Sequence, residues 1–362
     1  MNNHILWMRR ALLLAVRGKY TVSPNPMVGA CVVKNNKLIA SGFHEKFGGE
    51  HAEVKALHAA GKKAHGSILY VTLEPCSSWG KTPPCVEAII KSGVKEIVMA
   101  SADPNPKHSG RAVSILRSAG IKVTSGVLEQ EAQNQNRAFF KWVGTGMPYV
   151  TLKMAQSLDG KIATRTGQSR WISSVESREF VHHLRAEQDA VMVGKNTLFA
   201  DDPLLSPRVK VKGLNPVKPW RIALDPEMKL KSSARIFEGQ QLTFVVILEK
   251  KIHSIKAGSK NRCYLPIPDK KGRLDLKTLF KRLGSMGVSK LLVEGGGETA
   301  WTIFSENLAD EVYWITAPKI LGGRAALTSV EGQGVQTPDE GFRFKTFECY
   351  PLGEDWVFHG RF

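Results

Sequence analysis

The chain has 362 residues, of which 42% are hydrophobic and 23% charged, the balance of a soluble globular protein and not of a disordered or fibrous one. At roughly 100–200 residues per domain this length suggests two domains, and no apolar run approaches the roughly 18 residues a membrane crossing needs. The formal net charge of +18 is spread over both halves, so it excludes a simple basic tail and leaves two classes of anionic partner, nucleic acids and phosphorylated small molecules.

Residues 8–16 are the first predicted helix. Its apolar stretch is short, sits between Arg9, Arg10 and Arg17, and is followed by no small-residue cleavage site. It reads as an amphipathic helix and not a signal peptide, which makes the cytoplasm the expected location. Strands at 28–33 and 38–42 flank the turn Asn35-Asn36. Residues 50–60 put Val54, Leu57 and Ala60 on one helical face, and Gly61 closes that helix. A strand follows at 67–73. Thr82 as cap and Pro83 in the first turn, where a missing N–H costs nothing, open a helix that Gly93 ends. A strand at 95–100, a helix at 113–119 and a strand entered from 121–126 complete an α/β alternation.

Residues 143–148 hold two glycines and a proline and read as a tight junction, dividing the chain into domains 1–146 and 147–362. In the second half, strands are predicted at 149–155, 189–193, 221–224, 242–248, 290–294 and 311–317. Helices are predicted at 173–186, with Ser173 or Ser174 as cap, at 276–286 and at 299–307. There is no fixed-period repeat and no low-complexity tract.

Five cysteines, an odd and sparse count, argue against a disulfide framework. Cys31, Cys263 and Cys349 lie in apolar or strand-like stretches and read as small buried hydrophobes. Cys76 and Cys85 belong to a different pattern. His51-Ala52-Glu53 opens a helix, a strand ends in Leu73-Glu74-Pro75-Cys76, and Cys85 starts the next helix. One His and two Cys supply three zinc ligands and leave a fourth position for water, which is the layout of a catalytic rather than a structural site. Zinc brings the pKa of such a water to about 7. A helix N-terminus favours the thiolate of Cys85. Glu53, two residues from His51, is placed to move a proton from the water to a leaving amine, the arrangement of zinc nucleobase deaminases.

These segments, with Thr82-Pro83-Pro84-Cys85, Pro24-Asn25-Pro26-Met27-Val28-Gly29 and Asp103-Pro104-Asn105-Pro106, resemble the pyrimidine deaminase of riboflavin biosynthesis. The resemblance implies a cytidine-deaminase-like α/β/α domain, one Zn2+ on His51, Cys76 and Cys85, Glu53 as proton shuttle, and Asn25 on the base. The implied reaction is hydrolytic deamination of 2,5-diamino-6-(5-phosphoribosylamino)pyrimidin-4(3H)-one. The loop between the cysteines departs from the family: Ser78, Trp79 and Lys81 stand where a His and an Arg are usual, which alters the grip on substrate and not the hydrolysis.

In the second half a strand runs into Gly295-Gly296-Gly297-Glu298-Thr299 ahead of a helix, a turn that lets backbone N–H groups approach phosphate. Around it stand residues 153–161 (KMAQSLDGK), residues 169–173 (SRWIS), Leu184-Arg185-Ala186 and residues 194–203 (GKNTLFADDP). Together they resemble the reductase of the same pathway, which has a dihydrofolate-reductase-like α/β fold. The resemblance implies NADPH on Ala155, Trp171, Thr197, Asp201 and the turn Gly296, Gly297, Glu298, Thr299, Ala300, Trp301 and Thr302. It implies substrate on Ser169, Arg185, Leu205, Arg208 and Glu294, with Lys153 and Asp159 near the ribose. Arg185 and Arg208 suit a phosphate clamp, because a guanidinium presents paired donors to an oxyanion. Asp225-Pro226 stands where the family often has a Ser after the Asp, so a hydroxyl contact to the cofactor is absent. Hydride from NADPH reduces the ribosyl group to ribityl, with the protein orienting the two. The partner is then a phosphorylated pyrimidine in a homo-oligomeric enzyme, with neither nucleic acid nor membrane involved.

Two other readings compete. A tRNA or DNA deaminase shares the zinc chemistry and the basic charge, but lacks here a basic stretch interleaved with aromatics. A deaminase carrying an inactive reductase domain is the second.

Overall fold

The computed structural model describes residues 2–80, 83–106, 108–209, 217–255 and 261–362. Its contacts separate two compact units, one running to Gly146 and one starting at Met147.

The first unit comprises α1 (Asn2–Ala15), β1 (Gly29–Lys34), β2 (Lys37–Phe43), α2 (Ala52–Ala60), β3 (Ile68–Leu73), α3 (Cys85–Ser92), β4 (Glu96–Ser101), α4 (Arg111–Ser118), β5 (Lys122–Thr124), α5 (Glu129–Gln135) and α6 (Arg137–Thr145). The sheet order is β2-β1-β3-β4-β5. β1 is antiparallel to both neighbours, and β3, β4 and β5 are parallel. Asn35 and Asn36, both at positive φ, form the hairpin turn, a conformation Asn tolerates and which matches strand twist. Period-two alternation fills both faces of the sheet. Ala30, Val32, Leu69, Val71, Ile97 and Met99 pack under α2, α3 and α4. Cys31, Val33, Tyr70, Val98 and Ala100 pack against Trp7, Met8 and Ala11 of α1 and Ala132 of α5. The result is a three-layer α/β/α unit.

The second unit comprises β6 (Tyr149–Ser157), α7 (Val175–Ala186), β7 (Ala190–Val193), α8 (Lys195–Asp201), β8 (Trp220–Leu224), β9 (Thr243–Leu248), β10 (Arg262–Ile267), β11 (Asp269–Lys270), β12 (Arg273–Leu274), α9 (Leu276–Ser285), β13 (Lys290–Glu294), α10 (Gly297–Ser305), β14 (Glu311–Ala317), β15 (Thr346–Leu352) and β16 (Asp355–Arg361). Nine strands form one sheet in the order β10-β9-β8-β7-β13-β6-β14-β16-β15. It is parallel from β10 through β14 and antiparallel over the last two strands. One face packs on α9 and α10 through Leu279, Phe280, Leu283, Ile303 and Phe304. The other packs under α7 and α8 through Leu184 and Leu198. Among the described residues no helix is long and apolar enough to cross a membrane.

Several expectations are corrected. α3 begins at Cys85 with Pro84 at its N-cap, so Pro83 precedes the helix; Thr82, the expected cap, lies outside the described residues. The cap of α7 is Ser174, whose hydroxyl accepts from the Ser177 amide, and not Ser173. Residues 143–145 are the last turn of α6, which Gly146 closes in a left-handed conformation, so the expected junction is largely helical. Cys349 is exposed and Cys263 half-buried, leaving only Cys31 of the three fully buried. Cys349 sits on β15, an edge strand whose residues face mostly outward.

Candidate active sites

In the first unit, three chain segments end at one place. β3 runs out through Glu74-Pro75 to Cys76, α2 starts just after His51, and α3 starts at Cys85. The ligand atoms of His51, Cys76 and Cys85 all lie within 4.8 Å of one another. His51 Nδ1 is 3.1 Å from Cys85 Sγ and 3.5 Å from Cys76 Sγ. The Cys85 amide, at the start of α3, donates to Cys76 Sγ at 3.2 Å. The contacts with the Cys85 side chain and with His51 pull the Cys76 thiol down against the cost of burial. Cys85 is pushed up by the same contact and by burial. Two sulfurs and one imidazole nitrogen in a tight triangle are the donor set of a zinc centre with an open position.

Glu53 lies on the first turn of α2, and only 3% of it is exposed. Burial raises its pKa, and its Oε2 has no hydrogen-bond partner. A buried acceptor is normally satisfied. This one lines a cavity of about 170 Å³ together with Asn25, His44, His51, Cys76, Asp103 and Phe139. An orphaned carboxylate oxygen beside that triangle fits a metal centre with a water to deprotonate.

Two residues of the cavity wall were given no role from the sequence: His44, and Glu74 within the segment Leu73-Glu74-Pro75-Cys76. His44 stacks edge-on to His51 at 5.4 Å and lies near Asn25 Nδ2 and the Glu50 carbonyl, both 3.0 Å from its ring nitrogens. The carbonyl can only accept, so Nδ1 holds the hydrogen and Nε2 accepts from Asn25. Burial lowers the His44 pKa and keeps the ring neutral in this role. Glu74 is buried, and its carboxylate accepts from the amides of Asp103, Gly110 and Ala112, fixing the loop ahead of α4. Neither follows a spacing rule. Asn136, between α5 and α6, binds Met27 through both N–H and C=O, at 2.8 and 2.9 Å, and so holds the segment carrying Asn25.

In the second unit, β13 lies beside β6 with Glu294 opposite Lys153. Alternation turns both side chains to the face covered by α7, from which Arg185 descends. Arg185 grips Glu294 with two bonds of 2.5 and 2.9 Å, and Lys153 Nζ is 3.2 Å from Glu294 Oε2. Burial alone would raise the Glu294 pKa, but the charges of Arg185 and Lys153 hold it well below the usual carboxylate range. These three line a cavity of about 490 Å³ with Ala155, Ser169, Trp171, His182, Thr197, Asp201, Leu205, Arg208 and Gly295. Ser169 donates to Asp201 at 2.7 Å. Trp171 is 63% exposed at the mouth, with the Arg178 guanidinium 4.5 Å above its ring. Leu205, buried in the core under α7 and left-handed in its backbone, also lines the cavity.

The remaining expected residues are divided. Gly296, Glu298, Thr299 and Thr302 border a second cleft of about 460 Å³, together with Lys195, Pro226 and Arg273. The turn 295–296 therefore stands between the two clefts. Gly194 is required there, because a Cβ on it would sit 2.2 Å from Thr299 Oγ1. α10 starts with no side-chain cap, leaving its first amides for a ligand. Gly297, Ala300 and Trp301 border neither cleft. Gly297 faces Thr328 and Glu331, Ala300 is in the core, and Trp301 packs edge-on to Phe342 at 6.1 Å. Asp159 also borders neither. Its carboxylate accepts from the Ser157 hydroxyl and the Leu321 and Gly322 amides, which pull its pKa down to about 2. Arg221, 2% exposed, went unnoticed in the sequence. It ties Ser206 and Gln241 together at 2.9 and 2.7 Å behind the segment carrying Leu205 and Arg208.

Comparison with known proteins matches both units. The profile of the cytidine and deoxycytidylate deaminase zinc-binding region covers residues 1–101, and that of the RibD C-terminal domain covers residues 148–358. The riboflavin biosynthesis protein RibD of Aquifex aeolicus is 43% identical over 97% of this chain and 96% of its own. That of Escherichia coli is 38% identical over 98% of each. The structure of Acinetobacter baumannii RibD superposes with a TM-score of 0.90 at 37% identity over 99% of both chains. A Thermotoga maritima protein described as a diaminohydroxyphosphoribosylaminopyrimidine deaminase/5-amino-6-(5-phosphoribosylamino)uracil reductase gives 0.88 at 34% identity, also over 99% of both. The chain belongs to the RibD family, the bifunctional enzymes of riboflavin biosynthesis that join a zinc-binding deaminase domain to an NADPH-using reductase domain of dihydrofolate-reductase-like fold.

Proposed function

We propose that residues 1–146 deaminate 2,5-diamino-6-(5-phosphoribosylamino)pyrimidin-4(3H)-one to 5-amino-6-(5-phosphoribosylamino)uracil, and that residues 147–362 then reduce its ribosyl group to ribityl with NADPH. The observation that carries the first half is the unpartnered Glu53 Oε2 beside the His51, Cys76 and Cys85 triangle. These three residues hold Zn2+, which supplies the Lewis acidity that lets a water ionise near neutral pH. Glu53 Oε2 takes the water's proton and hands it to the departing amine. Asn25, oriented by neutral His44, binds the pyrimidine in the small cavity.

In the reductase, NADPH supplies the hydride. Trp171, Ala155, Thr197 and Asp201 hold its nicotinamide end, and the uncapped start of α10 with Gly296, Glu298, Thr299 and Thr302 holds its phosphates. Lys153 and Glu294 grip the opening ribose, Ser169 and Leu205 flank it, and Arg185 with Arg208 takes the phosphate. Asp159 acts one step back, by fixing residues 321–322.

A phosphorylated small molecule, and not a nucleic acid, is the partner, and the enzyme works in the cytoplasm as a homo-oligomer. Support for self-association comes from the outer face of β15 and β16, where Phe347 and Trp356 are 57% and 48% exposed. The test is zinc-loaded protein with the diaminopyrimidinone and no NADPH. Ammonia release, abolished by E53Q with zinc retained, supports the assignment; E53Q that still releases ammonia at the parent rate overturns it.

A further inference from the structure

His182 lies on α7 one turn before Arg185, and the i, i+3 spacing brings both side chains to the cavity face of the helix. Its ring is the contact of Arg208. The Arg208 Nε and Nη2 atoms are 3.2 and 3.0 Å from His182 Nε2, and the Arg208 amide nitrogen is 3.3 Å from Nδ1. A guanidinium and a backbone amide both only donate, and a neutral imidazole has a single acceptor nitrogen, so the ring is neutral; with Nε2 accepting from the guanidinium, Nδ1 carries the hydrogen and the amide only approaches it. The surroundings enforce that state. Burial and the charges of Arg185 and Arg208 lower the His182 pKa to about 4. An arginine on a segment without regular secondary structure loses much side-chain freedom when it binds an anion, and a preset partner removes part of that cost.

We infer that His182 is a positioning residue for the substrate's phosphomonoester group: it holds one edge of the Arg208 guanidinium, so that the other edge faces the cavity beside Arg185. This rests on the assignment of Arg208 to the substrate phosphate made above. The chemistry asks for an acceptor and not for an imidazole as such. A side-chain amide can accept equally, whereas an alkyl group cannot. A larger cation at this position would repel both arginines.

The experiment measures the reductase KM for the phosphorylated aminouracil, and the inhibition constant of inorganic phosphate against it, in H182A, H182N and R208A. NADPH binding by the second unit serves as the check that each variant is folded. H182A is expected to raise both constants roughly ten-fold, with a smaller change in kcat, and H182N to recover most of that loss. R208A is expected to raise them at least as far. Unchanged constants in H182A beside raised ones in R208A overturn the role of His182 alone. Unchanged constants in R208A overturn the phosphate assignment, and the inference with it. A fall in kcat with KM unmoved in H182A also contradicts it, because that pattern belongs to a group acting on the reacting atoms.

Discussion

The two sites are built on opposite electrostatic plans. The deaminase cavity is small, about 170 Å³, and its wall is set by hydrogen bonds: His44 with Asn25, and the Glu74 carboxylate accepting from three amides. Among the described residues that line it, Glu53 Oε2 is a buried acceptor with no hydrogen-bond partner. The reductase cavity is nearly three times as large, about 490 Å³ against about 170 Å³, and is organised by charge, with Glu294 between Arg185 and Lys153 and with Arg208 against His182. A site that performs proton chemistry on a small ring needs one poised base. A site that holds a phosphate and a dinucleotide needs cations, and these must be kept apart and aimed before the ligand arrives.

That contrast orders the expected effects. The largest belongs to the metal. Removing zinc with a chelator, or C85S, is expected to abolish ammonia release while leaving the reduction of supplied aminouracil intact; a parallel loss of both would break the separation of the two sites. Next is E53Q, expected to lower deamination roughly 10²–10⁴-fold with unchanged zinc content, the usual range for losing a general acid–base group.

Third is the charged network. E294A leaves Arg185 and Lys153 buried without a counter-charge and is expected to cost about 3–5 kcal/mol of stability in the second unit, read by denaturant unfolding. The pH dependence has a definite sign. The folded pKa of Glu294 lies below its ordinary value of 4.5, so its stabilisation is present above pH 4.5 and is lost as the pH falls below it. The folded pKa of His182 is lowered from 6.5 to about 4, so the unfolded chain gains the proton first and stability declines between those values. H182N is expected to flatten the upper window alone. The smallest effect is S174A, which removes the α7 cap and costs about 1 kcal/mol without altering the site's chemistry.

The same contrast explains what could be read from the sequence. The zinc triangle was legible because its ligands stand at the ends of strongly patterned elements, beside Leu73, Ala52 and Val86, and because chemistry restricts the residue types. The core strands β3, β4, β6 and β13 were legible for the same reason, being apolar runs bounded by turns. Helix α5 was not: only Ala132 of its seven residues is buried, so no apolar stripe marks it. Hairpin β15–β16 was missed because β15 is an edge strand with an almost wholly exposed face. His44, His182 and Arg221 act through contacts between residues distant in sequence, and no local pattern distinguishes such a residue from a surface one. Gly297, Ala300 and Trp301 show the converse. A motif marks a whole turn, but helical geometry sends only some of its side chains toward the cleft.

The most direct test of two separate sites acting in order is one reaction with the diaminopyrimidinone and NADPH, following ammonia and NADPH oxidation independently in the parent and in E53Q. The account predicts ammonia ahead of NADPH oxidation in the parent. It predicts neither in E53Q, with NADPH oxidation restored when the deaminated aminouracil is supplied. NADPH oxidation by E53Q on the undeaminated substrate, or its failure to return with the aminouracil, would contradict it.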